Sequence, residues 1–213
     1  MAAPLTFQIQ LTLTELLGRR ARSAAELRDG IRSVPRSSIY YHTHRYLLQH
    51  VRESPEPPND FAYWTTNSLG QHQLGESLAS VNTVDFLGLE ELRDRFVSIL
   101  EAQPSSNHGV CVLSPEGLEF HFLACRIFVV PAGLTVCSLP EFRDALTRIP
   151  AESLYYHMFV PRFLGAGAPD DFSRWFAAQG RTDVAAALTK LDPYAMTVEG
   201  LRRKILDILD QHA

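Results

Sequence analysis

The sequence predicts an α+β protein that is predominantly α-helical and arises by tandem duplication of one lobe, a strand followed by helices. An internal repeat predicts the duplication, because residues 18–42 and 133–157 align without a gap. Strand-like alternation at the start of each copy, followed by helix start and stop signals, predicts the content of the lobe. We therefore expect two pseudo-twofold halves with a small β element.

The repeat centres on a tyrosine–tyrosine–histidine segment and extends to the end of the chain. "SSIYYH" at 37–42 is answered by "SLYYH" at 153–157, "NDFAYW" at 59–64 by "DDFSRW" at 170–175, and "LEELRDRFVSIL" at 89–100 by "VEGLRRKILDIL" at 198–209. The identical positions of the ungapped stretch are Gly18, Ser23, Glu26, Arg28, Asp29, Pro35, Ser38, Tyr40, Tyr41 and His42. We predict lobe one over residues 1–102, a linker rich in Pro, Ser and Gly over 103–117, and lobe two over 118–213. A tandem duplication fits one domain or two.

Each lobe is expected to begin with a strand. Residues 5–13 alternate between apolar and polar side chains, as a half-buried strand does. A helical alternative over residues 11–17 stays open. Residues 118–130 are rich in aromatic and β-branched side chains and form the firmer strand prediction. The two strands could pair in one small sheet.

Helix signals recur at matching positions of the two lobes. Capping boxes, Ser23 with Glu26 and Ser138 with Glu141, start the first helix of each lobe, and a proline ends it. The next helix carries Tyr-Tyr-His, and we expect Ser37 or Ser38, and Ser153, to cap it. Asn59 and Asp170 are predicted to cap the third helix. Pro161 is expected to break the second helix of lobe two early.

Composition indicates a soluble, cytoplasmic protein. Hydrophobic residues make up 46% of the chain and charged residues 21%, with a formal net charge of -4. This balance argues against a nucleic-acid partner, which needs clustered Lys and Arg. No segment has the length and apolarity of a signal peptide or membrane span, so no membrane association is expected. Cys111, Cys125 and Cys137 form no C-x-x-C and indicate reduced thiols.

The repeated aromatic, histidine and aspartate residues are the candidate ligand-binding set. They are Tyr41, His42, Asp60 and Trp64 with Arg45 in lobe one, and Tyr156, His157, Asp171 and Trp175 in lobe two. The more conservative interpretation is a buried, hydrogen-bonded cluster that joins helices, with the tryptophans in the core. The functional interpretation is a groove for a small polar ligand, in which each aspartate fixes the tautomer of a histidine.

A metal-dependent enzyme is the alternative to a binding module. His42, Asp60, His157 and Asp171 could meet at the interface of the two repeats and hold one or two metal ions. No Walker A, G-x-G-x-x-G, G-x-S-x-G or H-E-x-x-H motif is present, so no catalytic residue is assigned and no cofactor is expected. A self-associating subunit, such as a homodimer, is a third possibility.

The segments "SSIYYHTH", "SPEPPNDFAYW", "LGESLASVNT", "SLYYH", "DDFSRW" and "LDPY" resemble an uncharacterised bacterial and archaeal family, a domain of unknown function. The resemblance covers nearly the whole chain. Members of that family occur alone, and some are attached to glycosyltransferases, which implies a setting near sugar metabolism. The resemblance implies no established activity. The segment "MFVPRFLGAGAP" at 158–169 departs from the family pattern, which looks like a regular charged helix there.

We therefore expect a non-catalytic binding or protein-interaction module. Its ligand groove would lie in lobe one, near Tyr41, His42, Asp60 and Trp64. The ligand would be a small polar molecule or a segment of a protein partner.

Overall fold

The computed structural model describes residues 3–49, 59–86, 88–102, 112–164, 169–191 and 196–212, without the side chains of residues 45–49, 84 and 162–164. The elements in chain order are β1 (Leu5–Ala21), α1 (Ala24–Ser33), α2 (Arg36–Gln49), α3 (Asp60–Asn67), α4 (His72–Ala79), a 3-10 turn (Thr83–Asp85), α5 (Leu89–Glu101), β2 (Phe120–Val136), α6 (Leu139–Arg148), α7 (Ala151–Leu164), α8 (Asp171–Ala178), α9 (Thr182–Thr189) and α10 (Val198–Gln211). The predicted α+β class is confirmed. No helix within these ranges is long and apolar enough to cross a bilayer.

The two strands pair in a two-stranded antiparallel sheet, as the sequence predicted. Both strands extend beyond their predicted ends, to Ala21 and Val136. The helical alternative over residues 11–17 is therefore wrong. The leucines of that segment fit either period, and pairing with β2 supplies main-chain hydrogen bonds that local propensity could not anticipate.

Two side-chain contacts define the register of the sheet. Thr6 Oγ1 lies 3.1 Å from Thr135 Oγ1, and the Glu15 carboxylate lies 3.9 Å from the Arg126 guanidinium. Both contacts fit the antiparallel register in which the first residue of each strand lies opposite the last residue of the other. This register sets which main-chain groups pair between the two strands and which point outward.

The chain divides into two compact units whose boundaries fall inside both strands. Residues 12–126 form the α1–α5 unit, and residues 1–11 with 127–213 form the α6–α10 unit. Each unit thus takes the first half of one strand and the second half of the other. The predicted lobes differ from these units at residues 1–11 and 118–126. The lobe boundaries stay a prediction about the repeat, and residues 103–111 of the predicted linker lie outside the described residues.

In the α1–α5 unit, aromatic side chains from β2 fill the core between the helices. Phe120 and Phe122 contact each other with ring centroids 4.9 Å apart, and Phe61 of α3 packs between Phe120 and Phe96 of α5. Gly30 of α1 leaves room for the Phe122 ring, because a Cβ at this position would lie 2.1 Å from it. Burial of these rings is the main favourable term for the unit.

In the α6–α10 unit, β1 supplies the matching aromatic residue. Phe7 is fully buried and packs against Phe142 of α6 and Phe172 of α8, at centroid distances of 5.6 and 5.9 Å. Phe142 also contacts Phe176 and stacks on Trp175. The strand is therefore held to the helices of its unit by apolar packing as well as by the hydrogen bonds described below.

The predicted caps of the first and third helices are confirmed. Ser23 Oγ and Ser138 Oγ accept hydrogen bonds from the N–H groups three residues on, and the Glu26 and Glu141 carboxylates accept from the N–H groups of residues 22 and 137. Asn59 Oδ1 accepts from the Ala62 N–H at 2.8 Å, and Asp170 Oδ1 from the Ser173 N–H at the same distance. Side-chain oxygens therefore satisfy N–H groups that the first turn of each helix leaves free.

Two predictions about the second helix of each lobe are wrong. α2 begins at Arg36 and α7 at Ala151, directly after a proline, so Ser37, Ser38 and Ser153 lie inside the first turn and are not caps. Pro161 does not break α7, which continues to Leu164. A proline near a helix end removes one main-chain hydrogen bond, and packing of the buried first three turns maintains the helix.

A buried arginine closes the end of the first helix in each unit. Arg93 of α5 donates through Nη1 to the carbonyl oxygens of Ile31, Arg32 and Val34, at 2.8 to 3.1 Å. Arg202 of α10 donates in the same way to the Leu146 carbonyl. These guanidinium groups satisfy carbonyls that a helix end leaves unpaired. Sequence reasoning missed both residues, although the aligned segments 89–100 and 198–209 share this arginine.

His44 of α2 is a neutral core residue. It is buried, stacks on Tyr40 with an interplanar angle of 3°, and shares a 2.6 Å hydrogen bond with the Thr43 hydroxyl. Burial lowers the pKa of His44 from 6.5 to about 3. In α7 the corresponding residue, Phe159, stacks on Tyr155. An uncharged ring is therefore what this position requires.

Replacing His44 with Phe, the residue at the matching place in α7, should make the protein less sensitive to acid. Because the folded-state pKa lies below the unfolded value, His44 destabilises the fold increasingly as pH falls below about 6.5, by about 2 kcal/mol at pH 5. Urea unfolding at the two pH values measures this. Between pH 7 and pH 5, the free energy of unfolding should fall by about 2 kcal/mol more in the parent than in His44→Phe. The exposed-site control His72→Phe should keep the parental pH dependence. An unchanged pH dependence in His44→Phe would contradict a neutral buried His44.

Candidate functional site

His42 of α2 joins two other elements of the α1–α5 unit. Its ring is buried; Nδ1 lies 2.8 Å from Asp60 Oδ2, and Nε2 accepts a 3.0 Å hydrogen bond from the Leu123 N–H of β2. Since Nε2 accepts, the proton of the neutral ring resides on Nδ1 and is donated to the carboxylate. The imidazole thus connects the start of α3 to a strand.

Asp60 is positioned by the cap of α3. It is the first residue of the helix, and Asn59 before it holds the Ala62 N–H through Oδ1 and donates to the Leu78 carbonyl at 3.0 Å. Free N–H groups and the helix dipole stabilise a carboxylate at this position. The sequence "ND" therefore fixes both the helix start and the partner of His42.

His157 of α7 makes the same set of contacts in the α6–α10 unit. Nδ1 lies 2.8 Å from Asp171 Oδ2 at the start of α8, and Nε2 accepts a 2.9 Å hydrogen bond from the Gln8 N–H of β1. The ring is buried and stacks on Phe172. Both predicted histidine–aspartate pairs are thus present, and each carries a third, main-chain partner that the sequence did not reveal. We call each Asp–His–N–H set a relay.

The main-chain partner lies opposite a glycine of unusual conformation in both relays. In the register of the sheet, Gln8 lies opposite Gly133 and Leu123 opposite Gly18. Gly133 and Gly18 have φ of 78° and 69°. Positive φ values are adopted readily by glycine, and here they mark a local distortion of each strand. In a two-stranded sheet, every other N–H points away from the partner strand and needs another acceptor. The histidines provide one.

Both ring nitrogens of each histidine are occupied. Nδ1 donates to a carboxylate, and Nε2 accepts from a main-chain N–H. Neither ring can take up a proton or ligate a metal ion without losing one of these bonds. In the described part of the chain, no group of three or more His, Cys, Asp or Glu side chains is placed to hold a metal ion.

The two aspartates differ in what their second oxygen meets. Asp171 Oδ1 pairs with the Arg174 guanidinium three residues on, and its side chain is 18% exposed. Burial raises the pKa of the Asp171 carboxyl, but hydrogen bonds from His157 and Arg174 outweigh burial and leave this pKa below its usual value. The Asp60 side chain is 37% exposed, and Tyr63 occupies the position that corresponds to Arg174.

The predicted tryptophans are core residues in both units. Trp64 is buried and donates from Nε1 to the Leu118 carbonyl at 2.7 Å. Trp175 is buried and donates to the Ala3 carbonyl at 2.9 Å. Each ring therefore ties the segment before a strand to the third helix of its unit, and neither presents a free face for a sugar or a base.

The tyrosines pack edge-on against the histidines that follow them. Tyr41 is buried and Tyr156 half-buried, with ring centroids 5.0 Å from His42 and His157. Burial and then the charge of Asp171 raise the pKa of Tyr156 above its usual value. The side chain of Arg45, the last predicted site residue, lies outside the described part of α2. Among the described side chains of the predicted ligand-binding set in the α1–α5 unit, Asp60 is thus the one with a partly exposed polar group.

Residues 2–210 match the family of unknown function DUF5752. The chain belongs to this family. The resemblance drawn from the sequence motifs is thereby confirmed, and DUF5752 carries no established activity. No curated protein matches the chain. Among solved structures, OrfY from Thermoproteus tenax is similar at 28% sequence identity and a TM-score of 0.79, with 98% of this chain and 95% of OrfY covered.

Replacing His42 with Leu should destabilise the α1–α5 unit by about 2–4 kcal/mol, because the part-buried Leu123 N–H and the Asp60 carboxylate both lose their partner in the core. Denaturant unfolding measures the loss. His121, exposed on the same strand, supplies the control: His121→Leu should change stability by less than about 0.5 kcal/mol. Equal effects of the two substitutions would show that the relay has no structural role.

Proposed function

We propose that this DUF5752 protein is a non-catalytic binding or protein-interaction module, whose ligand contacts the outer face of the Asp60 relay. The observation that carries the proposal is the use of every ring nitrogen of His42 and His157 in bonds that hold strands to helices. A general base or a metal ligand needs a free lone pair, and these rings have none.

The exposed Asp60 edge supports a ligand on the α1–α5 unit. Tyr41, His42 and Trp64, which the sequence predicted to line the groove, are buried. Asp60 reaches solvent, and its Oδ2 is held by His42. A carboxylate held in one orientation loses little side-chain entropy when a polar ligand binds.

We also propose that the two units descend from one duplicated lobe. Matching caps, matching relays, a buried arginine at matching places and a positive-φ glycine in each strand support the duplication. We further propose a cytoplasmic location, in which Cys125 and Cys137 stay reduced. The proposal also includes a setting near sugar metabolism and self-association as a homodimer. The sugar setting rests on the resemblance to proteins attached to glycosyltransferases.

A combined binding and turnover screen tests the proposal. The protein is incubated with panels of sugars, nucleotides, amino acids and amines; thermal shift detects binding, and mass spectrometry detects chemical conversion. We expect a ligand that raises the melting temperature of the parent and of the exposed-site control Asp94→Asn but not of Asp60→Asn, and that is recovered unchanged. Conversion of a panel compound by the parent, abolished in Asp60→Asn, would contradict a non-catalytic role.

A further inference from the structure

We propose that Asp60 and Tyr63 form a receptor for a guanidinium group, which would be the arginine side chain of a protein partner or a small guanidino compound. This inference rests on the proposed function, since it names the chemistry of the ligand at the same site. The observation that supports the inference is a difference between two otherwise matched relays.

In the Asp171 relay, the carboxylate oxygen that does not contact the histidine binds a guanidinium. Asp171 Oδ2 accepts from His157, and Oδ1 binds the guanidinium of Arg174, one turn along α8. The carboxylate is thereby satisfied within its own unit. Residues three apart on a helix lie side by side, so this pairing needs no other element.

The Asp60 relay has the same carboxylate geometry, but no cation partners Asp60 among the side chains that the structure describes. Asp60 Oδ2 accepts from His42 at 2.8 Å, as Asp171 does from His157. The residue three positions on is Tyr63, so no guanidinium comes from α3. Among the side chains that the structure describes, His42 is the group within ion-pair distance of Asp60. Because His42 accepts through Nε2 and donates through Nδ1 as a neutral ring, no side chain that the structure describes compensates the negative charge of the Asp60 carboxylate.

Tyr63 adds a surface that suits a guanidinium. Tyr63 is 50% exposed and lies on the same face of α3 as Asp60. A planar guanidinium stacks on a tyrosine ring while it donates to a carboxylate, and an ammonium group matches this pair of contacts less well. Since Asp60 Oδ2 is already bound to His42, the ligand would donate to Oδ1 alone and bind weakly on its own. A partner segment would add further contacts.

An arginine titration followed by NMR tests the inference on the full chain. The probes are N-acetyl-arginine amide, its uncharged isostere N-acetyl-citrulline amide, and agmatine. We expect the arginine probe to shift the amide signals at the start of α3 and the His42 ring signals, and the citrulline probe to leave them unchanged. Stronger binding of the capped amino acid than of agmatine would identify a protein arginine as the source, and the reverse a small guanidino compound.

Two reciprocal substitutions serve as matched variants. Tyr63→Arg should supply the internal guanidinium seen beside Asp171 and weaken the arginine probe at least tenfold. Arg174→Tyr should create a second arginine site at Asp171. Asp60→Asn, which keeps an acceptor for His42 but removes the charge, should abolish binding at α3 while the fold is preserved, as the amide spectrum reports.

Equal responses to arginine and citrulline, or undiminished arginine binding in Tyr63→Arg, would overturn the inference. If the screen then yields an uncharged ligand that depends on Asp60, the proposed binding function stands and the guanidinium receptor fails. If no compound binds and turnover is found, the proposed function itself fails.

Discussion

The structure depends on a buried imidazole that accepts a hydrogen bond from a strand and donates one to the start of a helix. A two-stranded sheet has two edges, and its outward N–H groups are costly when they are covered by helices without an acceptor. His42 and His157 resolve this for the Leu123 and Gln8 N–H groups. The aspartates then fix the tautomer in which Nε2 is free to accept.

The relay explains why several residue types recur together. The glycine shapes the strand opposite the bonded N–H, the histidine reaches it, and the cap before the aspartate sets the start of the third helix. A change in one member leaves a buried polar group of another unpaired. The Tyr-Tyr-His and Asp-Phe pattern, which the sequence offered as a candidate ligand-binding set, is thus accounted for by the demands of folding, while Asp60 keeps a partly exposed edge.

Much of this arrangement was predictable from the sequence, for reasons visible in particular residues. Ser23, Asn59 and Asp170 cap helices through hydrogen bonds to residues three positions on, so short sequence spacings predict them. The recurrence of His42 and Asp60 in the second copy of the repeat identified them as a candidate pair. The Leu123 and Gln8 N–H groups carry no side-chain signature, so the third member of each relay needed the tertiary structure. Pro161 and the leucines of residues 11–17 were misjudged because packing and strand pairing override local preference. Gly18 and Gly133, identical in the repeat, were a signal that could have pointed to the strand distortion.

The most direct test of the central claim is a long-range ¹H–¹⁵N correlation spectrum of the histidine rings, with the signals of His42 and His157 assigned by substitution. We predict that at pH 7 both rings are neutral, protonated on Nδ1, with Nε2 as the bare nitrogen, and that a hydrogen-bond coupling links Nε2 of His42 to the Leu123 amide and Nε2 of His157 to the Gln8 amide. Protonation on Nε2, or a charged ring at that pH, would contradict the relay and return both histidines to the set of candidate catalytic or metal-binding groups.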